Sequence, residues 1–227
     1  MKKSSFNGIL GLVYLFFFLL LTAALAFSCF GDHTLAALEG GAAVSECDGF
    51  FCSFNGDLFK TFGSNPVWYK LSEVLGTVCL CIPVCFALLG ALQLLKRKSL
   101  KKVDLDLLFL AGLYAVTAGC YLLFEKLVLN YRPVILDGEI EASYPSTHTV
   151  LVCVIAFSAA FFLGRRLRNR WLRWGVNLCC FLLAFLVALG RLFGGVHWFS
   201  DVLGSILLGG SLVFFYKWAT RRWMDKK

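Results

Sequence analysis

The chain has 227 residues, of which 59% are hydrophobic and only 16% are charged, and its mean hydropathy is +0.76. A soluble globular protein has about 25% charged residues, so this composition excludes an ordinary soluble domain. The formal net charge of +8 would suit nucleic acid or a membrane surface. The cationic residues lie in short links between apolar blocks, however, which leaves no basic domain for nucleic acid.

Six uncharged stretches are long enough, or nearly so, to cross a bilayer as helices, which takes about 20 apolar residues. They run over residues 4–31, 74–95, 107–124, 149–164, 174–190 and 202–216. The last three are short, but their helices can continue through His148, Arg191 and Asp201 if these side chains face a polar site. The sequence therefore predicts an all-α fold, a polytopic membrane bundle of six transmembrane helices.

Lysine and arginine are distributed unequally between the two sides of this bundle. With six spans, 17 of these residues fall on the side of the termini and five on the other side. The positive-inside rule then predicts cytoplasmic termini in the plasma membrane. The first block follows Lys2 and Lys3 as a secretory signal would, but its apolar stretch exceeds the about 7–15 residues of a signal core, which favours a retained helix.

The longest segment between spans is the outer loop of residues 32–73. Within it, Phe51, Phe54, Leu58 and Phe62 recur at helical spacing, which predicts an amphipathic helix. Two placements of this helix remain open. It lies on the outer leaflet with its apolar face in the acyl boundary, or it packs on the protein's own spans.

Cysteine is frequent, with ten residues in the chain. Seven lie inside apolar blocks, where a cysteine is usually a small hydrophobic residue. Cys29, Cys47 and Cys52 share the outer loop instead. A disulfide between Cys47 and Cys52 is left open by the sequence.

Three polar clusters fall on the same outer face of the predicted bundle. They are Tyr131-Arg132-Pro133 after the third span, Tyr144-Pro145-Ser146-Thr147-His148 at the start of the fourth, and Arg191, His197 and Asp201 between the fifth and sixth. Each alone has an ordinary explanation, such as an arginine that reaches the headgroups or a histidine at a helix start. Ionisable residues at membrane depth are costly, however, and their arrival at one level indicates a functional site.

The spacing within these clusters predicts a chemistry. His197 and Asp201 are four positions apart at a helix start, so both lie on one face. The carboxylate can accept a hydrogen bond from one imidazole nitrogen, which leaves the other as a nucleophile. Arg132 and Arg191 can clamp phosphate oxygens in the bidentate manner of guanidinium. His148 can protonate the leaving oxygen and later activate water.

These residues resemble the motifs of the type 2 phosphatidic acid phosphatase family. The sequence PSTH at residues 145–148 resembles the family's PSGH motif, Arg191-x5-His197-x3-Asp201 matches its third motif, and Arg132-Pro133 matches the end of its first. The resemblance implies metal-independent hydrolysis of a phosphomonoester or diphosphate through a phosphohistidine. By position, His197 resembles the nucleophile, Asp201 its partner and His148 the acid/base.

The first motif departs from the family pattern. The family has a lysine seven residues before the arginine, whereas this chain has Glu125 there and Lys126 one residue late. One residue on a helix is a rotation of about 100°. Lys126 therefore remains only a candidate ligand of the phosphate.

The other two motifs each differ from the family at one position. Thr147 replaces the glycine of the second motif, and Gly190 replaces the serine of the third. Ser146 and the amides around Thr147 still offer donors at a helix N-terminus. We expect shifted phosphate binding rather than loss of activity.

The sequence thus predicts one integral membrane phosphatase domain over residues 1–227, with its motifs within 126–201. Expected substrates are phosphatidic acid, phosphatidylglycerol phosphate or a polyprenyl diphosphate, and Glu139 and Glu141 would limit the headgroup. The alternatives are a phosphoryl transferase between lipids and an inactive lipid-binding or transport protein. No cofactor or nucleic acid partner is expected, nor a metal, since the histidines lack a zinc ligand set. The oligomeric state is not indicated.

Overall fold

The computed structural model describes residues 3–29, 35–37, 43–45, 50–135 and 141–224. In chain order the elements are α1 (Lys3–Cys29), β1 (Leu35–Ala37), β2 (Ala43–Ser45), α2 (Phe50–Phe62), α3 (Pro66–Cys79), α4 (Cys81–Arg97), a 3-10 turn (Leu100–Lys102), α5 (Leu105–Lys126), α6 (Thr147–Arg166), α7 (Arg170–Phe193) and α8 (Phe199–Met224). The short strands pair antiparallel, with Leu35 opposite Ser45.

Six segments of the described chain are long and apolar enough to cross a membrane. They are Ser4–Phe27, Pro66–Arg97, Leu105–Lys126, Thr147–Arg166, Arg170–Phe193 and Phe199–Met224. The predicted helical bundle of six spans is confirmed. As predicted, the last three helices continue through His148, Arg191 and Asp201. These spans are longer than the uncharged stretches because their polar ends face the protein interior.

The six spans differ in how deeply they are buried. The α6 span is 61% buried and the α8 span 56%, whereas the second span, which is α3 and α4 together, is only 6% buried. Helices α6 and α8 therefore form the centre of the bundle and α3–α4 its periphery. The residues that begin α6 and α8 therefore belong to the two most deeply buried spans.

The second span is interrupted at Leu80. Pro83 explains the break, because proline has no N–H to donate and its ring collides with the carbonyl of the residue four positions earlier, here Cys79. The Leu80 N–H turns to the Thr77 carbonyl at 3.1 Å instead. At the other end, α3 starts on Pro66 with Asn65 as its cap, whose side chain accepts hydrogen bonds from two first-turn amides.

The first span packs against the last. Phe18, Leu21 and Leu25 of α1 are buried, and the Ser211 hydroxyl of α8 donates to the Gly11 carbonyl at 3.0 Å. These contacts hold α1 against α8 in the bundle.

The predicted amphipathic helix is α2, and it packs on the protein's own spans. Asn55 is buried, and its amide donates to the Ser200 hydroxyl at 2.9 Å while its carbonyl oxygen accepts from the Ser200 N–H at 3.2 Å. The Phe54 ring meets Phe199 edge-on, with ring centroids 5.4 Å apart. Helix α2 therefore packs on the start of α8, as in the second of the two placements, while Phe54 and Phe62 stay 40% and 48% exposed.

The ends of α5 and α6 away from α2 are tied by an ion pair. Arg166 donates to both carboxylate oxygens of Asp106, at 2.6 and 3.0 Å, and Asp106 is buried. Just outside the spans, hydrogen bonding from Arg97 holds the pKa of Asp104 below its usual value. These carboxylates order the end of the bundle opposite the candidate site.

Two sequence-based expectations lie outside the described residues or side chains. They are the Cys47–Cys52 disulfide and the position of Glu139. The seven cysteines of the apolar blocks are free thiols, in keeping with their interpretation as small hydrophobic residues.

Candidate active site

The third cluster is built on a tight turn between α7 and α8. Gly195 has a φ of +68°, a left-handed conformation that a side chain would strain, and the chain then turns back so that His197 and Asp201 point inward. Both are buried, at 3% and 0% exposure. A histidine and a carboxylate are thus held together away from bulk water.

Asp201 is fixed by donors from three parts of the chain. Its Oδ2 accepts from the Trp198 N–H at 2.9 Å and from the Ser143 hydroxyl, and its Oδ1 accepts from the Asn130 amide at 2.9 Å. Each bond to an ionised acceptor is stronger than a neutral one. The carboxylate therefore has a set position beside His197.

The expected direct hydrogen bond from His197 to Asp201 is not formed. His197 Nδ1 lies 3.6 Å from Asp201 Oδ2, beyond hydrogen-bond range, while the Ser143 Oγ lies 3.1 Å from the same nitrogen. Because the Ser143 hydroxyl donates to Asp201, its oxygen is available to accept the Nδ1–H. The serine thus transmits the orienting effect that we had expected from direct contact.

This arrangement leaves the other imidazole nitrogen free. His197 Nε2 is buried and has no hydrogen-bond partner. Burial lowers the pKa of His197 to about 4; the nearby Asp201 opposes the change, while Arg191 and Arg132 add to it. The imidazole is therefore neutral at physiological pH, with a lone pair on Nε2.

Arg132 comes from the loop after α5. Its guanidinium lies 2.8 Å from a Glu141 carboxylate oxygen, and the backbone N–H of Arg132 also donates to the Glu141 carbonyl at 3.2 Å. An isolated bridge between Tyr131 and Ala142 holds the two sides of the loop together. The arginine is therefore positioned by its own loop and not by a span.

Arg191 lies at the end of α7 and is only 1% exposed. Its guanidinium forms a close ion pair with Glu73 of α3 and stacks over the Tyr69 ring at 5.5 Å. His148 Nε2 lies 3.4 Å from the same Glu73 oxygen. Both arginines lie within electrostatic range of His148 as well as of His197, so the predicted residues do converge.

Ser146 lies at the N-terminus of α6, as predicted, and its polar groups contact the protein itself. Its hydroxyl lies 3.0 Å from Thr149 Oγ1, its carbonyl accepts from the Ser205 hydroxyl at 2.9 Å, and the residue is fully buried. These contacts fix the start of α6 on α8. Thr147, by contrast, lines the cavity described next.

A cavity of about 340 Å³ opens beside His197. It is lined by Tyr121, Phe124, Glu125, Arg132, Glu141, Ala142, Tyr144, Pro145, Thr147 and His197. Glu125 is therefore at the cavity, whereas Lys126 is exposed at the end of α5 and is not among the lining residues. This is the rotation expected from the one-residue shift in the first motif.

Unpartnered polar atoms concentrate around this site. Seven buried side-chain nitrogen or oxygen atoms among the described residues have no hydrogen-bond partner. Four of them are Arg132 Nε, His148 Nδ1, Arg191 Nε and His197 Nε2. Buried polar groups without a partner are rare and costly, so their gathering at one place indicates that a polar ligand completes them.

The same region carries the family signature. A sequence model of the PAP2 superfamily matches residues 106–225, more than half of the chain. The chain belongs to the PAP2 superfamily. BcrC of Bacillus licheniformis, described as a bacitracin transport permease protein, is 28% identical over 174 residues, which are 73% of this chain and 76% of that protein.

A solved member of the superfamily has the same fold. A transmembrane PAP2-type phosphatidylglycerolphosphate phosphatase from Bacillus subtilis aligns with a TM-score of 0.68 at 20% identity, over 96% of this chain and 99% of that one. The chain is thus an integral membrane member of the PAP2 superfamily, and the resemblance found in its motifs is confirmed.

Three functional contacts of this PAP2 member were not found from its sequence. Ser143 and Asn130 orient Asp201, and Glu73 pairs with Arg191 across two helices. Ser143 adjoins the second motif, which was a usable signal, but Asn130 and Glu73 carry no pattern of their own. Among the described residues, no group of three or more histidine, cysteine, aspartate or glutamate side chains is arranged to hold a metal ion.

Proposed function

We propose that this protein is a lipid phosphatase that hydrolyses a phosphate monoester or diphosphate through a phosphohistidine and without a metal. The observation that carries the proposal is the set of four unpartnered nitrogens on two arginines and two histidines, of which Arg132 and His197 line the cavity. Two guanidinium groups suit the oxygens of a phosphoryl group. A neutral, oriented imidazole suits attack on its phosphorus.

An apolar cleft beside the cavity supports a lipid substrate. The cleft runs between α5 and α6 and shares Tyr121, Phe124, Pro145 and Thr147 with the polar cavity. Its other lining residues are Thr117, Cys120, Val150, Leu151 and Leu208. A lipid whose phosphate lies in the cavity would thus have apolar side chains beside the start of its hydrocarbon tail.

In the first step His197 Nε2 attacks the phosphorus while the bond from phosphorus to the leaving oxygen breaks. The bonding electrons stay with that oxygen, and His148 gives it a proton. Arg132 and Arg191 offset the negative charge on the remaining phosphoryl oxygens, which is the main demand of phosphoryl transfer. Asp201, acting through Ser143, stabilises the positive charge that develops on the imidazole.

In the second step a water molecule attacks the phosphohistidine. His148, now neutral, takes a proton from the water. The phosphorus–nitrogen bond breaks and its electrons return to Nε2. The products are inorganic phosphate and either a lipid alcohol or, from a diphosphate, a lipid monophosphate.

The topology belongs to the same proposal. The excess of lysine and arginine on the side of the termini, 17 against five, favours cytoplasmic termini. The site would then open at the outer face of the plasma membrane. Because α1 packs on α8 and α2 supports the start of α8, we treat residues 1–227 as one catalytic domain.

The test is phosphate release by the purified full-length protein in EDTA. The panel contains phosphatidic acid, phosphatidylglycerol phosphate and undecaprenyl diphosphate. We expect His197→Ala to lose at least about 10³-fold in kcat. Equal release by the wild type and this variant would show that the activity is not that of this site.

The intermediate is tested separately with radiolabelled p-nitrophenyl phosphate, whose leaving group needs little protonation. The wild type should give an acid-labile phosphoprotein, and His148→Ala should accumulate more of it because the water lacks a base. An identical steady-state level in the two proteins would contradict the assigned role of His148. Label transferred to an added lipid alcohol instead of water would identify a transferase.

A further inference from the structure

Glu73 contacts Arg191 and His148 through one oxygen. The Oε1 atom forms the close ion pair with Arg191 and lies 3.4 Å from His148 Nε2. Glu73 belongs to α3, outside the PAP2 match at residues 106–225. An anionic oxygen shared by these groups occupies the kind of position that a phosphoryl oxygen needs.

The approach of α3 depends on the absence of a side chain at Gly190. A Cβ atom there would lie 2.7 Å from Ser72 Cβ and 3.0 Å from the Trp68 carbonyl oxygen, closer than Cβ atoms pack. Gly190 stands where the family motif has a serine. The exchange therefore lets α3 pack against α7, which brings Glu73 within reach of Arg191.

The two partners of this ion pair differ in their freedom to move. The Arg191 side chain is 1% exposed and the Glu73 side chain is 35% exposed. Arg191 also retains an unpartnered Nε. If Glu73 swings outward, a phosphoryl group can accept the hydrogen bonds that the guanidinium now gives to Glu73, so that Arg191 exchanges one anion for another without being left buried and unpaired.

We propose that Glu73 is a competing carboxylate: it pairs with Arg191 and contacts His148 in the empty site, yields both to the substrate's phosphoryl group, and returns to help expel inorganic phosphate. This inference rests on the proposed function for its catalytic meaning. The inference itself is about binding, because the phosphoryl group replaces the Glu73 carboxylate at the same hydrogen-bond donors.

The direction in which Glu73→Gln changes the affinity for phosphate distinguishes a competing carboxylate from a residue that only positions its neighbours. Glu73→Gln keeps the shape of the side chain but removes its charge. A competing carboxylate makes the variant bind inorganic phosphate about 10- to 100-fold more tightly, since a charged hydrogen bond no longer has to be broken. A residue that only positions Arg191 and His148 would make the variant bind more weakly.

The measurement is isothermal calorimetry of inorganic phosphate binding to the full-length protein in detergent. Asp57→Asn is the matched control, because it removes one negative charge from an exposed residue of α2 outside the cavity lining, while the described ion pairs of Arg191 and His148 are kept. We expect tight binding for Glu73→Gln and a change of less than about threefold for the control. Weaker or unchanged binding by Glu73→Gln, equal gains in both variants, or no phosphate binding by any of them overturns the proposal.

Gly190→Ser provides a second variant that keeps the carboxylate. Its side chain should move α3 away and give phosphate binding between that of the wild type and Glu73→Gln. The unfolding temperature, taken with and without phosphate, checks that both variants fold, and phosphate should raise it most for Glu73→Gln. A Gly190→Ser protein that folds and binds as the wild type does would contradict the role of close packing.

Turnover assays separate this inference from the proposed function. If Glu73→Gln hydrolyses the lipid with stronger product inhibition, both hold. If no protein releases phosphate but Glu73→Gln still binds it more tightly, the competing carboxylate stands and the phosphatase assignment fails. If turnover is normal and product inhibition is unchanged, the phosphatase stands and the competition does not.

Discussion

Ser143 is the residue whose role can be tested most directly. It lies between His197 and Asp201, and without its hydroxyl the imidazole keeps a carboxylate 3.6 Å away but loses its nearest acceptor. We expect Ser143→Ala to lower kcat by about 10- to 100-fold with little change in KM, because orientation is lost and phosphate ligands are kept. Ser158→Ala, a buried serine within α6, is the control and should keep its activity.

The protonation of His197 also has a consequence for stability. Its pKa is lowered from 6.5 to about 4 in the folded protein. Between these two pH values the imidazole is protonated in the unfolded chain and neutral in the folded protein. The contribution of His197 to the free energy of unfolding is therefore complete above about pH 6.5. It decreases as the pH drops towards 4, by at most about 1.4 kcal/mol per pH unit. Below pH 4 the slope should vanish.

Thermal unfolding of the wild type and His197→Gln between pH 7 and 4 measures this effect. The wild type should lose more stability over the interval than the variant does. Parallel curves would mean that the buried imidazole takes up its proton in the folded state as easily as in the unfolded one.

At the scale of elements, the hydrophobic stretches predicted the spans well because helices in lipid must satisfy their own backbone. The motif spacing likewise predicted that His197 and Asp201 share a face, since four positions on a helix are a local relation. Glu73 and Asn130 escaped prediction because their partners lie more than 70 positions away in sequence. Glu73 reaches the site only because α3 packs on α7, and Asn130 only because the loop after α5 packs on α8.

The placement of α2 was undecided by sequence for the same reason. Amphipathicity gives one apolar face but does not say whether lipid or protein covers it. Asn55 shows that protein covers part of this helix, because its side chain makes two hydrogen bonds to Ser200 of α8. That serine directly precedes Asp201, which links the outer helix to the site.

Asn55→Ala should therefore weaken the docking of α2. We expect a loss of about 1–3 kcal/mol in stability because buried Ser200 groups lose their partners. Amide hydrogen exchange over residues 50–62 should speed up, and kcat should fall modestly. Asp57→Ala, an exposed residue on the same helix, is the control, and equal exchange in the two variants would contradict the docking.

At the scale of the whole molecule, the proposed orientation is open to labelling. Ser64 lies at the end of the bundle that holds the site, and Arg168 lies between α6 and α7 at the other end; both are exposed. We expect a membrane-impermeant maleimide to label Ser64→Cys in intact cells, above the wild-type background. Arg168→Cys should react only after permeabilisation, and the reverse pattern would place the site on the cytoplasmic side.

The length of the interrupted second helix bears on where in the bilayer the chemistry takes place. The segment Pro66–Arg97 has 32 residues, or about 48 Å of helix, whereas the hydrocarbon core is about 30 Å thick. If the basic end of α4 lies at one boundary of the hydrocarbon core, the first turns of α3, including Glu73, extend beyond the opposite boundary. Glu73 and the phosphoryl group would thus meet at the depth of the lipid headgroups, and a lipid could be dephosphorylated without its tail leaving the leaflet.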